Sequence, residues 1–217
     1  AVNIIRDGQE VNLEVLAPGK INLNGAPAQS GPLRFNGTQG ERFVIGRQSF
    51  LVVRTPDRVG VRTWDNGLPE RAAYPGSDWF EPSADWVTEA EFTPFGELRA
   101  IPYLNALGEE KEVKVTGEWR FVLRGEACAF IALSAEGDEP FFVFRDATSG
   151  RETYGASRFL RGRQTGEGRA VLDFNRAYNP PCAFTPHATC PLAPQQNVLG
   201  FPVQAGEKMY RAPESSS

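Results

Sequence analysis

Apolar runs in this chain are brief and often alternate with polar residues, and 22 glycines and 17 prolines cut them at short intervals. That punctuation constrains the fold more than any other feature. It leaves little room for amphipathic helices and calls for many short strands joined by turns. Val11, Leu13 and Val15 alternate with Asn12 and Glu14, which places one face of a strand in a core. Residues 50–54 and 58–64 flank Thr55-Pro56-Asp57 and read as a hairpin. A strand is expected near residues 86–93, with a partner near 97–103. Further strands are expected at 112–116 and 118–124, joined at Gly117, with Trp119, Phe121 and Leu123 on one face. Others fall at 127–134, 140–145, 152–160 and 170–174. Consecutive strands with such tight connections are antiparallel neighbours.

The fold class is therefore all-β: an antiparallel meander forming a barrel-like or sandwich sheet, with the barrel preferred because closure hides strand edges. A chain of 217 residues, 41% of them hydrophobic, can bury a core in one domain or at most two small ones. The reading is one β domain over residues 1–212 and a Ser-rich flexible tail over 213–217. The segment from Asp65 to Pro82 is a loop. After Phe174 the alternation stops, and residues 175–202 hold six prolines. Tyr178, Phe184, Leu192, Leu199 and Phe201 make this a long loop packed on the body rather than a loose linker.

Several function classes are disfavoured. A net charge of −4 offers no electrostatic footprint for nucleic acid. No apolar run approaches the ~20 residues that span a bilayer, so no membrane partner is expected. The first residues have neither the basic head nor the apolar segment of a signal peptide, and a cytoplasmic location is expected. There is no Walker loop, dinucleotide fingerprint or nucleophile elbow, and nothing signals a cofactor or an oligomeric state.

Two long stretches resemble a known family. One is Phe141-Phe142-Val143-Phe144-Arg145-Asp146-Ala147-Thr148-Ser149-Gly150, followed by Thr153-Tyr154-Gly155 and Arg158-Phe159-Leu160. The other is Asp173-Phe174-Asn175-Arg176-Ala177-Tyr178-Asn179-Pro180-Pro181-Cys182-Ala183-Phe184, with Cys190-Pro191-Leu192 and then Pro202 and Ala205-Gly206-Glu207-Lys208. Together they are similar to an uncharacterised prokaryotic family, domain of unknown function number 1684. The likeness is dense over the last third of the chain and looser at residues 52–54, 60–62 and 90–92. It brings no activity with it. His187 stands where the family usually has an aromatic residue, and Ala193 where it tends to have proline.

Arg145, Tyr154, Arg158, Asp173, Asn175, Arg176 and Asn179, with Asp146, form the leading candidate site. Guanidiniums gathered at one sheet end bind a carboxylate or phosphate through forked hydrogen bonds, and the asparagines add neutral donors and acceptors. The expected partner is a small anionic or polar molecule. The same residues would serve equally as an architectural network, with Asp146 paired to Arg158 or Asp173 to Arg176. Cys182 and Cys190 read as two free thiols or a disulfide. A reactive thiol among them, or hydrolytic chemistry, would make the same pocket an active site. With His187, and Asp173 as a fourth ligand, they would also suit zinc, but the spacing matches no standard knuckle and no metal is assigned. Cys128 reads as a small core residue. Trp64, Tyr74, Trp79, Phe80 and Trp86 could wall an apolar cavity. A partner-binding protein without a pocket is the remaining alternative.

Overall fold

A computed structural model describes residues 1–8, 10–54, 58–136 and 139–211. The expected Thr55-Pro56-Asp57 turn, the Gly137-Asp138 connection and the 213–217 tail lie outside the described residues. The chain, read from sequence as one domain, divides into two compact units, Ala1–Tyr74 and Pro75–Ser217.

The N-terminal unit contains β1 (Val2–Asp7), β2 (Glu10–Val15), β3 (Ile21–Leu23), β4 (Ala26–Pro27), β5 (Gly31–Pro32), β6 (Phe35–Asn36), β7 (Gln39–Ile45), β8 (Gln48–Arg54) and β9 (Val59–Asp65). One sheet runs β1-β2-β5; the other runs β4-β3-β7-β8-β9, with β6 also on β7. The alternation of β2 places Val11 and Leu13 in a core with Ile21, Phe43 and Val52. The expected hairpin is present as β8 and β9, which pair from Gln48↔Asp65 to Arg54↔Val59. The Asp65–Pro82 segment holds one helical turn at Pro69–Ala72, with proline at its start, where a missing amide costs nothing.

The C-terminal unit contains β10 (Val87–Leu104), β11 (Glu110–Leu123), β12 (Glu126–Phe130), β13 (Ser134–Glu136), β14 (Glu139–Phe144), β15 (Arg158–Arg161), β16 (Arg163–Gly166) and β17 (Arg169–Asp173). They form two antiparallel sheets, β12-β11-β10-β17-β16 and β13-β14-β15. Both are open paths, so the all-β fold is sandwich-like and no barrel closes among the described residues.

Residues 86–93 and 97–103 do not pair with each other. Trp86 ends a 3₁₀ turn, and residues 87–93 and 97–103 belong to the single strand β10 that follows it, which pairs with β11 on both sides of a register shift between Pro94 and Arg99. Gly96, at φ +78°, makes a bulge there instead of a turn. Likewise Gly117 joins nothing: β11 runs straight through it. A Cβ at Gly117 would stand 2.4 Å from the Thr93 carbonyl oxygen and 2.5 Å from the Phe92 ring, so glycine there permits close strand approach. Of the expected 152–160 strand only residues 158–160 are extended in a sheet, as part of β15.

Between the sheets lies an aromatic core. Phe130 is central, with ring centroids 4.9 Å from Phe121, 5.7 Å from Phe142 and 5.6 Å from Phe144. Strand alternation gives β14 and β15 a second apolar face, where Val143 and Phe159 pack with Cys190, Tyr178 and Cys182. The long C-terminal loop thus forms a third layer, as its apolar content predicts.

Candidate functional site

Asp146 follows β14 and Arg158 opens β15, and their side chains meet inside the protein. Arg158 is 0% exposed. Its Nη2 donates to Asp146 Oδ2 at 2.6 Å and to the Val203 carbonyl at 3.0 Å, while Nη1 donates to the Ala205 carbonyl. The guanidinium also lies 4.9 Å over the Phe144 ring. Asp146 Oδ1 accepts from the Thr148 amide and hydroxyl, both at 2.7 Å, and from the Val203 amide at 3.1 Å. Burial pulls the Arg158 guanidinium below its ordinary pKa, and the facing Asp146 charge pushes it back. This cluster ties residues 203–205 to the small sheet, as the architectural alternative for the pair anticipates.

The other candidates fall into separate groups. Asp173 Oδ1 accepts from the Asn175 amide at 3.1 Å, and Asn175 exchanges hydrogen bonds with the Ser83 backbone at 2.9 and 3.0 Å. The Asn179 amide donates to Glu207 at 2.6 Å, and its side chain donates to the Lys208 carbonyl at 2.7 Å. Arg145 and Arg176 are exposed. Arg158 and Asn179 are nevertheless neighbours. Phe159 and Tyr178 exchange both backbone hydrogen bonds, so positions 158 and 179 stand opposite each other on one face. Arg158 Nε and Asn179 Oδ1 are buried and have no hydrogen-bond partner among the described residues.

The thiols make a second cluster. All three cysteines are free. The Cys182 amide donates to Cys190 Sγ at 3.3 Å, and the Tyr154 hydroxyl donates to the Cys182 carbonyl at 2.9 Å. Burial pushes the Cys190 thiol up to about 11; the hydrogen bond from the Cys182 amide pulls it back, and the Cys182 side chain adds to the rise. The Tyr154 phenol rises to about 12, again chiefly by burial. Cys128, half-buried against the core, is also raised by burial. His187 is exposed, and its amide donates to Thr185 Oγ1 at 3.3 Å. Among the described residues no three His, Cys, Asp or Glu side chains group as metal ligands.

These shifts have a consequence for stability. Cys190 and Tyr154 keep their protons in the fold after the unfolded chain, with values near 9.0 and 10.0, has lost them. Their contribution is therefore complete below about pH 9 and is lost as pH rises towards 12. The urea midpoint should fall across that alkaline range, and less so in Cys190→Ala. A flat midpoint there would contradict the burial of both groups.

The aromatics from Trp64 to Trp86 are divided between the two units. Trp64 belongs to the N-terminal unit, where the Arg42 guanidinium covers it at 4.6 Å, and Trp86 is in the core of the second unit. Phe80 lies 4.9 Å beneath Lys208 Nζ.

A groove that the sequence did not announce lies where the β10–β11 hairpin reaches from the larger sheet to the C-terminal loop. The hairpin tip lands on the C-terminal loop: the Ala106 amide donates to the Cys190 carbonyl at 2.8 Å, and the Leu192 amide to the Leu104 carbonyl at 2.7 Å. Below this arch is an open volume of about 330 Å³. Phe92, Val113, Val115, Trp119, Leu133 and Pro140 give it apolar walls, Ser134 and Gln164 supply polar groups, and the exposed Lys114 and Thr116 alternate with the valines of β11 at its rim. Its residues come from five separate stretches, so no local motif could have revealed it.

The family described as "Protein of unknown function (DUF1684)" matches residues 72–208. That span nearly coincides with the C-terminal unit, and the looser likenesses at residues 52–62 fall outside it. The solution NMR structure of an uncharacterized protein from Haloarcula marismortui is similar, at 30% identity and a TM-score of 0.51, over 65% of this chain and 80% of that one. No curated protein matches the chain.

Proposed function

Because the chain belongs to the DUF1684 family, proteins of unknown function, we propose its role from geometry: a small-molecule-binding β module whose ligand lies under the β10–β11 arch. The groove of about 330 Å³ carries this reading. Its size falls within the range of small-molecule sites, and it joins apolar walls to a few polar groups as such sites do. Lys114, exposed at the rim, is the one charged residue among the described lining residues. The ligand chemistry is therefore an apolar body with an anionic or polar head, such as a medium-chain carboxylate. Arg158 is already committed to Asp146, Val203 and Ala205, which favours the arch over the arginine cluster as the ligand's place. Three free thiols suit a reducing compartment such as the cytoplasm.

The test is a titration with decanoate and with decanol, followed by tryptophan fluorescence in wild type and Trp119→Phe. Both probes should bind saturably, and their signal should be lost in Trp119→Phe. Ala132→Trp, which fills the groove, should abolish binding. Lys114→Gln should weaken decanoate about two- to fivefold and leave decanol unchanged. Saturable binding that survives Ala132→Trp would place the ligand elsewhere, and no saturable binding of either probe would overturn the reading.

A further inference from the structure

The C-terminal loop brings together two sulfurs that no step of the proposed binding uses. Cys182 and Cys190 are separated by seven residues, yet the Cys182 amide is 3.3 Å from Cys190 Sγ. The Cys182 side chain contacts the Cys190 thiol as well. A disulfide asks for Cα atoms about 4.4–6.8 Å apart, a separation that this contact makes reachable without moving the strands. The two thiols also differ in access: Cys190 is 7% exposed, beneath the loop, and Cys182 is only partly buried. Cys190 is, in addition, the landing point of the hairpin, since its carbonyl accepts from the Ala106 amide and Pro191 bridges to Asn105.

We propose that Cys182 and Cys190 form a reversible disulfide on exposure to hydroperoxides, and that this bond clasps the hairpin tip onto the C-terminal loop. The more accessible Cys182 sulfur, as thiolate, attacks one peroxide oxygen. The O–O bond breaks, a sulfenic acid forms and the other oxygen leaves, after protonation, as the reduced peroxide (an alcohol, or water when the oxidant is hydrogen peroxide). Cys190 sulfur then attacks Cys182 sulfur, the S–O bond breaks, and the second oxygen leaves as water. Two thiols and one hydroperoxide thus give a disulfide, water and the reduced peroxide, with two electrons passed to the oxidant. Excess small-molecule dithiol reverses the reaction by exchange. The clasp does not depend on the groove's holding a ligand.

The experiment treats the full chain with hydrogen peroxide at about pH 8, blocks residual thiols with N-ethylmaleimide and digests with trypsin. No lysine or arginine lies between Arg176 and Lys208, so one peptide carries both cysteines. That peptide should take no label and should be about 2 Da lighter than its reduced form, and dithiothreitol should restore it. Cys128→Ser should behave as wild type, whereas Cys190→Ser should stop at the sulfenic or sulfinic acid of Cys182. Oxidation should also slow amide exchange at Ala106 and Leu192 by about tenfold, a readout of the clasp that needs no ligand. Sulfinic acid at Cys182 in the wild-type chain, or a link to Cys128, would overturn the disulfide. Unchanged exchange at Ala106 and Leu192 in the oxidised protein would overturn the clasp. These results are independent of the decanoate titration, so either proposal can fail while the other stands.

Discussion

Replacing Asp146 with Ala should lower the free energy of unfolding by about 3–5 kcal/mol, because it strands a buried guanidinium without its counter-charge. Arg158 cannot turn to solvent: it is 0% exposed and bonded to the carbonyls of Val203 and Ala205. The same change leaves the Thr148 and Val203 amides without their acceptor. Urea unfolding of Asp146→Ala, Arg158→Met and the double variant measures the effect as a cycle. The double variant should cost less than the sum of the singles by at least about 1 kcal/mol, since it removes both charges together. Arg176→Ala serves as the contrast. That side chain is exposed, and its loss should stay within about 0.5 kcal/mol. If Asp146→Ala also stays within about 1 kcal/mol, the pair is not holding the fold, and Arg158 returns to consideration as a ligand-binding residue.

The Asp146–Arg158 pair was legible in the sequence because Asp146 reads as the end of one strand and Arg158 as part of the next, and such neighbours pair. Its role was not. Whether a guanidinium at a strand end faces solvent or core depends on what covers it, and here the cover comes from residues 203–205, far along the chain. The long loop's packing was readable from its apolar residues alone. The barrel was not, because closure depends on which edges meet, and alternation says nothing about that. Gly96 and Gly117 misled because a turn, a positive-φ bulge and a close strand approach all call for glycine, and only the partner strand distinguishes them. The groove under the arch shows the same limit at the level of a site. Phe92, Trp119, Leu133 and Pro140 come from four separate stretches, and nothing local marks them as one wall.

Asn197 shows how much a residue without any motif can carry, and its replacement by Leu should cost at least about 3 kcal/mol. It ends a short 3₁₀ turn, Gln195–Asn197, and is 0% exposed. Its Oδ1 accepts from the Ile131 amide at 2.7 Å, and its Nδ2 donates to the Ile131 and Val143 carbonyls at 2.8 and 2.9 Å. One side chain therefore supplies the hydrogen bonds that a neighbouring strand would have given to the segment after β12 and to β14. Each buried backbone group left unpaired costs about 1–3 kcal/mol, and Leu leaves three of them. Asp separates hydrogen bonding from packing, because it keeps the shape while turning both donors into an acceptor. Asn197→Asp should therefore be at least as damaging as Asn197→Leu at neutral pH, with faster exchange of the Ile131 amide. It should recover in part on acidification, since a protonated carboxyl can donate to one of the two carbonyls. Were shape the main contribution, Asp would be close to neutral and Leu alone would destabilise, and acidification would bring no recovery.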